Sequence, residues 1–559
     1  MEIRFLGAAN TVTGSQFLLT TEKAQILIDC GMFQGGPTEI VRNRVPLAYD
    51  PSKLDAIVLT HAHLDHCGLI PHIVAEGFTG PIHATRGTAE LAALVLLDSG
   101  KLQEEFSKRQ KHWALKHPDK AAAEAQAELA KIQQAEQVAE LEDTASSSPV
   151  THRGDVLPDG RVIASGIDEL ALHDEQGMGT RMGYPAFGQP DHEASMAGNP
   201  ANPNLIVDEP LYDQAQAQAA LVRFSPVDYE KLVNIAPGIT AVFHDAGHIL
   251  GSSIVEIRVE AQKDVPARTL IFSGDLGRAG APILRDPAII READYVLVES
   301  TYGGREHEPE TDSLTQLEQA VKDVVAQQGV LLIPSFAIGR TQEIVWALNH
   351  LLDAGRIPKI KLYLDSPMAS KATTIYRKHT DYYDAETAAL LARGEGPVDF
   401  PNQLETPKAT DSEQIDRAQR PYVVVASNGM LTGGRVLNHL RVLIGDQKAM
   451  ILFVGYQGEG TLGARLQAGI KTARVDGQEL QVRCAVRSID GFSAHADEAG
   501  ILSWLGNFID GRKAGDPGVP RRVFIVHGEP DAQAALEPKI QALGLPTMAP
   551  HWHQHVVLD

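Results

Sequence analysis

Short apolar, β-branched runs punctuate the chain, each stopping at a polar loop: 25–29 (QILID), 55–60 (DAIVLT), 240–244 (TAVFH), 269–273 (TLIFS) and 295–299 (YVLVE). Runs of this length bounded by turn chemistry predict buried strands. From about 305 the rhythm becomes strand, loop, helix. The run 329–333 (GVLLI) leads into PSFAIGR and a helical 341–353, and further apolar strands follow at 360–364, 421–425 and 450–454. That alternation predicts a parallel sheet flanked by helices. Ligands of such sheets collect beyond the carboxyl ends of the strands, where PSFAIGR (334–340), DSPMAS (365–370) and SNGMLTGGR (427–435) lie.

Residues 101–145 read differently. They are rich in Ala, Gln, Glu and Lys, and 121–142 (AAAEAQAELAKIQQAEQVAELE) predicts one long exposed helix of about 33 Å, with Leu129, Ile132 and Leu141 as a thin apolar stripe. The following 145–205, rich in Gly, Pro, Ser and Asn, predicts long loops. Together, about 108–210 is expected to be an insertion: a solvated arm, or a contact for a partner or a second copy in a homodimer.

The 559 residues divide into about three to four domains at roughly 150 residues each. A hydrophobic fraction of 43% against 22% charged supplies large cores and excludes a disordered chain. The longest apolar runs, such as 91–97 (LAALVLL), fall far short of the roughly 18 residues a membrane span needs. The opening MEIRFLGAANTVTGS lacks the pattern of a secretory signal, so a cytoplasmic protein is expected. Three scattered cysteines exclude a disulfide framework and a four-thiolate zinc site. The formal charge of −22 repels polyanions, so a nucleic-acid role requires a local positive site.

Such a site is offered by His61-Ala62-His63-Leu64-Asp65-His66, which crowds four candidate ligands directly after the strand DAIVLT. Imidazole and carboxylate donors suit Zn²⁺ best, with Mn²⁺ and Fe²⁺ as alternatives. One turn cannot enclose two ions, and further donors are expected from other strand ends: His248 in DAGHILGSS, Asp275 in FSGDLGR and His527 in FIVHGE.

HAHLDH, DAGHILGS, SGDLGR, ESTYG (299–303), FSAHAD (492–497) and VHGE (526–529), in that order, closely resemble the metallo-β-lactamase-fold nucleases of the β-CASP group. That group includes the nuclease subunit of the eukaryotic mRNA 3′-end cleavage machinery, its bacterial and archaeal relatives, and ribonuclease J. The resemblance covers the chain except for the insertion. It implies an α/β protein in which an αββα sandwich carries an inserted β-CASP domain, with the sandwich at 1–303 and 491–559 and the β-CASP domain at 304–490. It implies one zinc on His61, His63 and His248, a second on Asp65, His66 and His527, and Asp275 bridging both. Asp29, ending QILID, would orient the metal loop, and Glu299 with His495 would form the acid pair. His527 favours RNA over DNA within the group. Two divalent cations against the carboxylates of Asp65 and Asp275 leave the site net positive, which answers the charge objection locally.

The turns PSFAIGR and SNGMLTGGR read as ordinary tight turns or as phosphate cradles. Within the resemblance Ser335, Arg340, Ser427, Gly433, Gly434 and Arg435 become expected RNA-backbone contacts, Arg435 foremost. His551, His553 and His555 are expected in a final strand with one polar face, and Cys67 as a small buried hydrophobe. The chain ends 32 residues after His527, which disfavours a match to ribonuclease J with its extra C-terminal domain. The leading expectation is a zinc-dependent ribonuclease of single-stranded RNA acting by a two-metal mechanism, internally or from a 5′ end, in RNA processing or decay. The alternatives are a dinuclear-zinc hydrolase of a small ester, thioester or lactam, and a noncatalytic RNA-binding subunit.

Overall fold

The computed structural model describes residues 1–145, 209–263, 266–455, 457–458 and 460–559. Two seven-stranded sheets lie face to face. The first runs His555–Val557, Glu2–Phe5, Phe17–Thr20, Gln25–Ile28, Ala56–Val58, Ile82–Thr85, Phe224–Val227. The second runs Thr547–Met548, Arg522–Val526, Tyr295–Glu299, Arg268–Phe272, Ser253–Val259, Ile239–Asp245, Leu232–Ala236.

Alternate residues of each strand face opposite ways, and both faces are buried, which is why these segments read as unbroken apolar runs. Ile26, Ile28 and Val58 meet Val255, Ile257, Leu270 and Phe272 of the other sheet in the central core. Leu27 and Ile57 point outward beneath helical Ile70, Ile73, Leu91 and Leu96. Ile271, Val296 and Ile525 are covered by Ile501, Leu505, Leu536 and Ile540. The result is a four-layer αββα sandwich.

Six strands between 330 and 488 form a third sheet, all parallel, in the order Gln403–Glu405, Lys361–Asp365, Tyr422–Ala426, Val330–Pro334, Ala449–Phe453, Ala485–Ser488, while Thr472–Val475 and Gln478–Gln481 pair antiparallel as a separate hairpin. Apolar clusters cover both of its faces. Among the described residues, no helix is long and apolar enough to cross a membrane.

The arm departs from expectation. Helix Arg86–Lys116 begins well before residue 108, so the insertion opens inside a helix, and Pro118–Ala145 returns after it. The second helix is not solvated all round. Ala121, Ala125, Leu129 and Ile132 are buried at three-to-four-residue spacing, and Ala139, two turns further on, packs with Phe33 and Trp552. Alanine makes this stripe: it allows close approach while adding little to a hydrophobic count. The expected loops of 145–205 fall outside the described residues, apart from Ala145 at the end of the helix. The C-terminal expectation also needs correction, because only His555 lies in a strand. Trp552 turns inward to donate to the Leu6 carbonyl at 2.8 Å, and His553 takes a left-handed φ of 67°, so the alternation breaks.

One buried polar knot ties the third sheet to its helices. Asp365, at the end of its strand, accepts from Thr406, Ser412 and Arg435 and meets His439 Nε2 at 2.7 Å, while His439 Nδ1 lies 2.8 Å from Asp416. Burial opposes charge on His439, but Asp365 and Asp416 overcome it and raise its pKa to about 9. A pKa raised on folding stabilises fully below about 6.5 and is lost as pH climbs through about 9. Wild-type stability should therefore fall by up to about 3 kcal/mol across that window through this group, and His439→Gln should flatten the slope. Identical pH profiles of the thermal midpoint in both proteins would refute the assignment.

Candidate metal centre

The donor-rich turn is shaped by the end of the neighbouring strand. Asp29, 1% exposed and at φ 57°, accepts from Thr60 N at 2.8 Å, Thr60 Oγ1 at 2.9 Å and Ser15 Oγ at 3.2 Å, and contacts His66 Nδ1 at 2.7 Å. The last contact holds a proton on Nδ1, so that Nε2 is the atom His66 would offer to a cation. Gly31 permits the approach, because a Cβ there would sit 1.6 Å from the Asp65 carbonyl oxygen.

Seven donors converge from four strand ends in two groups. His61, His63, His248 and Asp275 form one, and Asp65, His66 and His527 the other. In the first, His63 Nδ1 lies 3.1 Å from His61 Nε2 and 3.3 Å from His248 Nε2. In the second, His66 Nε2 lies 3.1 Å from His527 Nε2, and Asp65 Oδ2 lies 3.7 Å from His527 Nε2. Asp275 joins them. Its Oδ2 faces His61 at 3.4 Å and His248 at 3.5 Å, and its Oδ1 faces His66 at 3.3 Å and His527 at 3.6 Å. His527 is held at a left-handed φ of 50°, its N–H donating to the Ala8 carbonyl at 2.7 Å.

These donors fit a divalent cation. Nitrogens about 2.0–2.1 Å from a tetrahedral zinc stand roughly 3.3 Å apart, close to the spacings here. Asp275 Oδ1 and His248 Nδ1 are buried without a hydrogen-bond partner, a costly state unless a cation compensates the cluster. Burial, aided by His61, pushes His63 down to about 3. Burial with His66 lowers His61, and burial with His495 lowers His248, so all three present neutral nitrogens. Against its burial, His66 is raised by Asp275 and Asp29, and Asp275 is held low by His527, His66 and His61. Cys67 is fully buried, outside both groups, and its thiol donates to the Ala62 carbonyl.

Beside this cluster, His495 Nδ1 lies 3.1 Å from both oxygens of the fully buried Glu299. Glu299 Oε1 also accepts from Leu276 N at 2.7 Å, which fixes the carboxylate. His495 keeps 21% of its side chain exposed, toward the cleft. Burial opposes its charge, but Glu299 raises its pKa to about 9.

The cleft of about 2080 Å³ runs from His63, Asp275, His495 and His527 to the strand ends of the third sheet. Ser335, Arg340, Ser427, Gly433, Gly434 and Arg435 all line it. Both guanidinium groups are also engaged internally. Arg435 binds Asp365 at 2.8 Å and the Thr406 carbonyl at 2.5 Å, and Arg340, 8% exposed, pairs with Glu343 at 2.9 Å. Their partners lie elsewhere in the fold or face a buried site, which a local motif does not reveal.

Sequence reasoning missed three groups. Ser366 Oγ accepts from Ser427 Oγ at 3.0 Å in the cleft wall, within the DSPMAS turn. His307 Nε2 reaches the His495 carbonyl at 2.9 Å. Arg278, in the same segment as Asp275, reaches the Gly491 carbonyl and lies 3.1 Å from Glu343. The Ser in a strand-end turn was a usable signal; the other two act across long sequence separations and carried none.

Three family models match the chain: the metallo-beta-lactamase superfamily over residues 9–126, the Beta-Casp domain over 341–466, and the Zn-dependent metallo-hydrolase RNA specificity domain over 479–550. A ribonuclease of Thermus thermophilus is 32% identical over 538 residues, covering 96% of this chain and 95% of its own length. The transcription termination factor FttA of Methanosarcina mazei is 28% identical over 551 residues, covering 95% of this chain and 67% of its own length. FttA of Pyrococcus horikoshii is 26% identical over 582 residues, covering 99% and 70%.

Asp29→Asn should weaken metal affinity about 10–100-fold, since the amide no longer anchors His66 as a carboxylate does. Chelator competition measures it; unchanged affinity would remove Asp29 from the orienting role.

Proposed function

Since the chain belongs to the β-CASP ribonuclease family, metal-dependent hydrolases on the metallo-β-lactamase fold, we propose that it hydrolyses phosphodiester bonds of single-stranded RNA with two zinc ions, in cytoplasmic RNA processing or decay. The observation that carries the reading is Asp275, whose two oxygens each face a separate donor group. His61, His63 and His248 would hold one ion, Asp65, His66 and His527 the other, with Asp275 common to both. Bound there, the pair lowers the pKa of a water and polarises the scissile phosphoryl oxygen.

The chain's own residues do the rest. His495, protonated at neutral pH beside Glu299, gives a proton to the leaving 3′ oxygen as its bond to phosphorus breaks and the water oxygen takes its place. Glu299 orients that imidazole and stabilises its charge, and His307 holds its backbone. The hydroxyls of Ser335, Ser366 and Ser427 and the turn Gly433–Gly434 receive the neighbouring backbone phosphates, with Arg340 and Arg435 as fixed charges behind them.

Charge and size support a polyanion. The cleft is lined by eight Lys or Arg and eight Asp or Glu residues, so it is balanced in a chain of −22, and two divalent cations tip it positive. Its volume exceeds the roughly 300–1,000 Å³ of small-ligand pockets, which disfavours a small ester, thioester or lactam. The complete donor set disfavours a noncatalytic subunit, and His527 favours RNA over DNA by the family resemblance. A homodimer through the arm has the support of Leu115 and Leu141, 80% and 68% exposed, and sedimentation tests it.

His495→Ala should keep its metal and slow cleavage of labelled RNA by about 10²–10⁴-fold. Asp275→Ala should lose both metal and activity. Equal metal content in the two variants would contradict the division of roles. Removing metal with a chelator should abolish cleavage, and re-adding zinc should restore it; activity in metal-free protein would overturn the proposal.

A further inference from the structure

The same cleft has a wall that the proposed chemistry leaves without a task. The cleft-facing side of helix Arg86–Lys116 carries Leu102, Phe106, Arg109, Trp113 and Lys116, spaced three to four residues apart on one face. From Ser99 to Lys116 this wall is about 26 Å long, the span of roughly seven stacked nucleotides at about 3.4 Å each.

Its composition changes along its length. The last three turns, 107–116 (SKRQKHWALK), hold Lys108, Arg109, Lys111 and Lys116 and no acidic residue, in a chain of net −22. Arg109 is 62% exposed and pairs only at 3.7 Å with Glu105, a surface pair worth little and readily exchanged for phosphate. Trp113 is half-buried, lines the cleft and is stacked on His117 with ring centroids 4.5 Å apart and planes 22° apart. The helix is also held in place. The returning helix buries its alanine stripe and docks against Phe33 and Trp552. A positioned aromatic ring flanked by exposed cations is the combination that binds single strands without sequence preference.

We infer that this wall is a second binding surface for RNA: Trp113 stacks a base, and Arg109 and Lys116 hold phosphates, of the strand leading away from the scissile bond. The inference rests on the ribonuclease reading and deepens it by assigning the arm to substrate length. It gives the arm a role that a solvated spacer or a dimer contact does not.

The test compares kcat/KM for single-stranded RNAs of about 4 and about 16 nucleotides, the range of single-strand sites. The wild type should favour the longer RNA. Trp113→Ala should cut that preference about tenfold, and Trp113→Phe, which keeps a stacking ring, should restore most of it. The double variant Arg109→Gln/Lys116→Gln, at exposed positions, should reduce the slope of log affinity against log salt by about 1.4 for the longer RNA. A length preference and a salt slope equal to wild type in Trp113→Phe, Trp113→Ala and the double variant would overturn the inference while leaving the ribonuclease reading intact. A wild type that cleaves neither RNA would bring down both.

Discussion

The carboxylate of Asp275 is shared between two groups of buried donors, and the burial of that arrangement sets the terms for what surrounds it. Removing an ion from water costs several kcal/mol, and this anion is 2% exposed with one oxygen lacking any hydrogen-bond donor. Only concentrated positive charge can offset that. The sandwich supplies the geometry for it by aligning the carboxyl ends of strands from both sheets on one edge, so that ligands far apart in sequence meet without any long loop. Asp29 and His527 are held there at left-handed φ, a local strain of order 1–3 kcal/mol each that the paired sheets absorb.

The reactive pair is positioned by contacts that cross between the sandwich and the third sheet. His495 forms an isolated bridge with Gly277, two residues from Asp275, and its carbonyl meets His307. Arg278 extends from the same segment to Gly491 and to Glu343, which also holds Arg340. The donor cluster, His495 with Glu299, and the cleft wall are thus linked through Arg278, Glu343 and Arg340. His495 itself stays anchored to the sandwich through Glu299 and Gly277.

The legibility of the sequence followed the range of the interactions. HAHLDH was visible because four donors adjoin in one turn, and His248, Asp275 and His527 because each follows an apolar strand. The strands at 25–28, 295–299 and 422–426 were visible because burial on both faces leaves them apolar except at their ends, Gln25 and Glu299. The internal anchor of Arg435 was not legible because its partner Asp365 lies 70 residues away and is itself fully buried. The arm was misjudged because alanine buries a helix face while scoring as nearly neutral. His307 and Arg278 act through a backbone carbonyl and a distant glutamate, and no local pattern announces either.

The pairing of Tyr295–Glu299 with Arg522–Val526 has a consequence for biosynthesis. The two strands are separated by some 220 residues, so the second sheet carries a raw edge while the ribosome completes the third. At about 5–20 residues per second this lasts roughly 10–45 s, and an unpaired strand of apolar residues is an aggregation hazard for that time. His527 emerges only after its strand, so the proposed donors cannot meet until Arg522–Val526 has been made. Any cation held by the proposed donors would therefore be taken up only after that strand is made, and the hydrolase stays idle while the second sheet is still open.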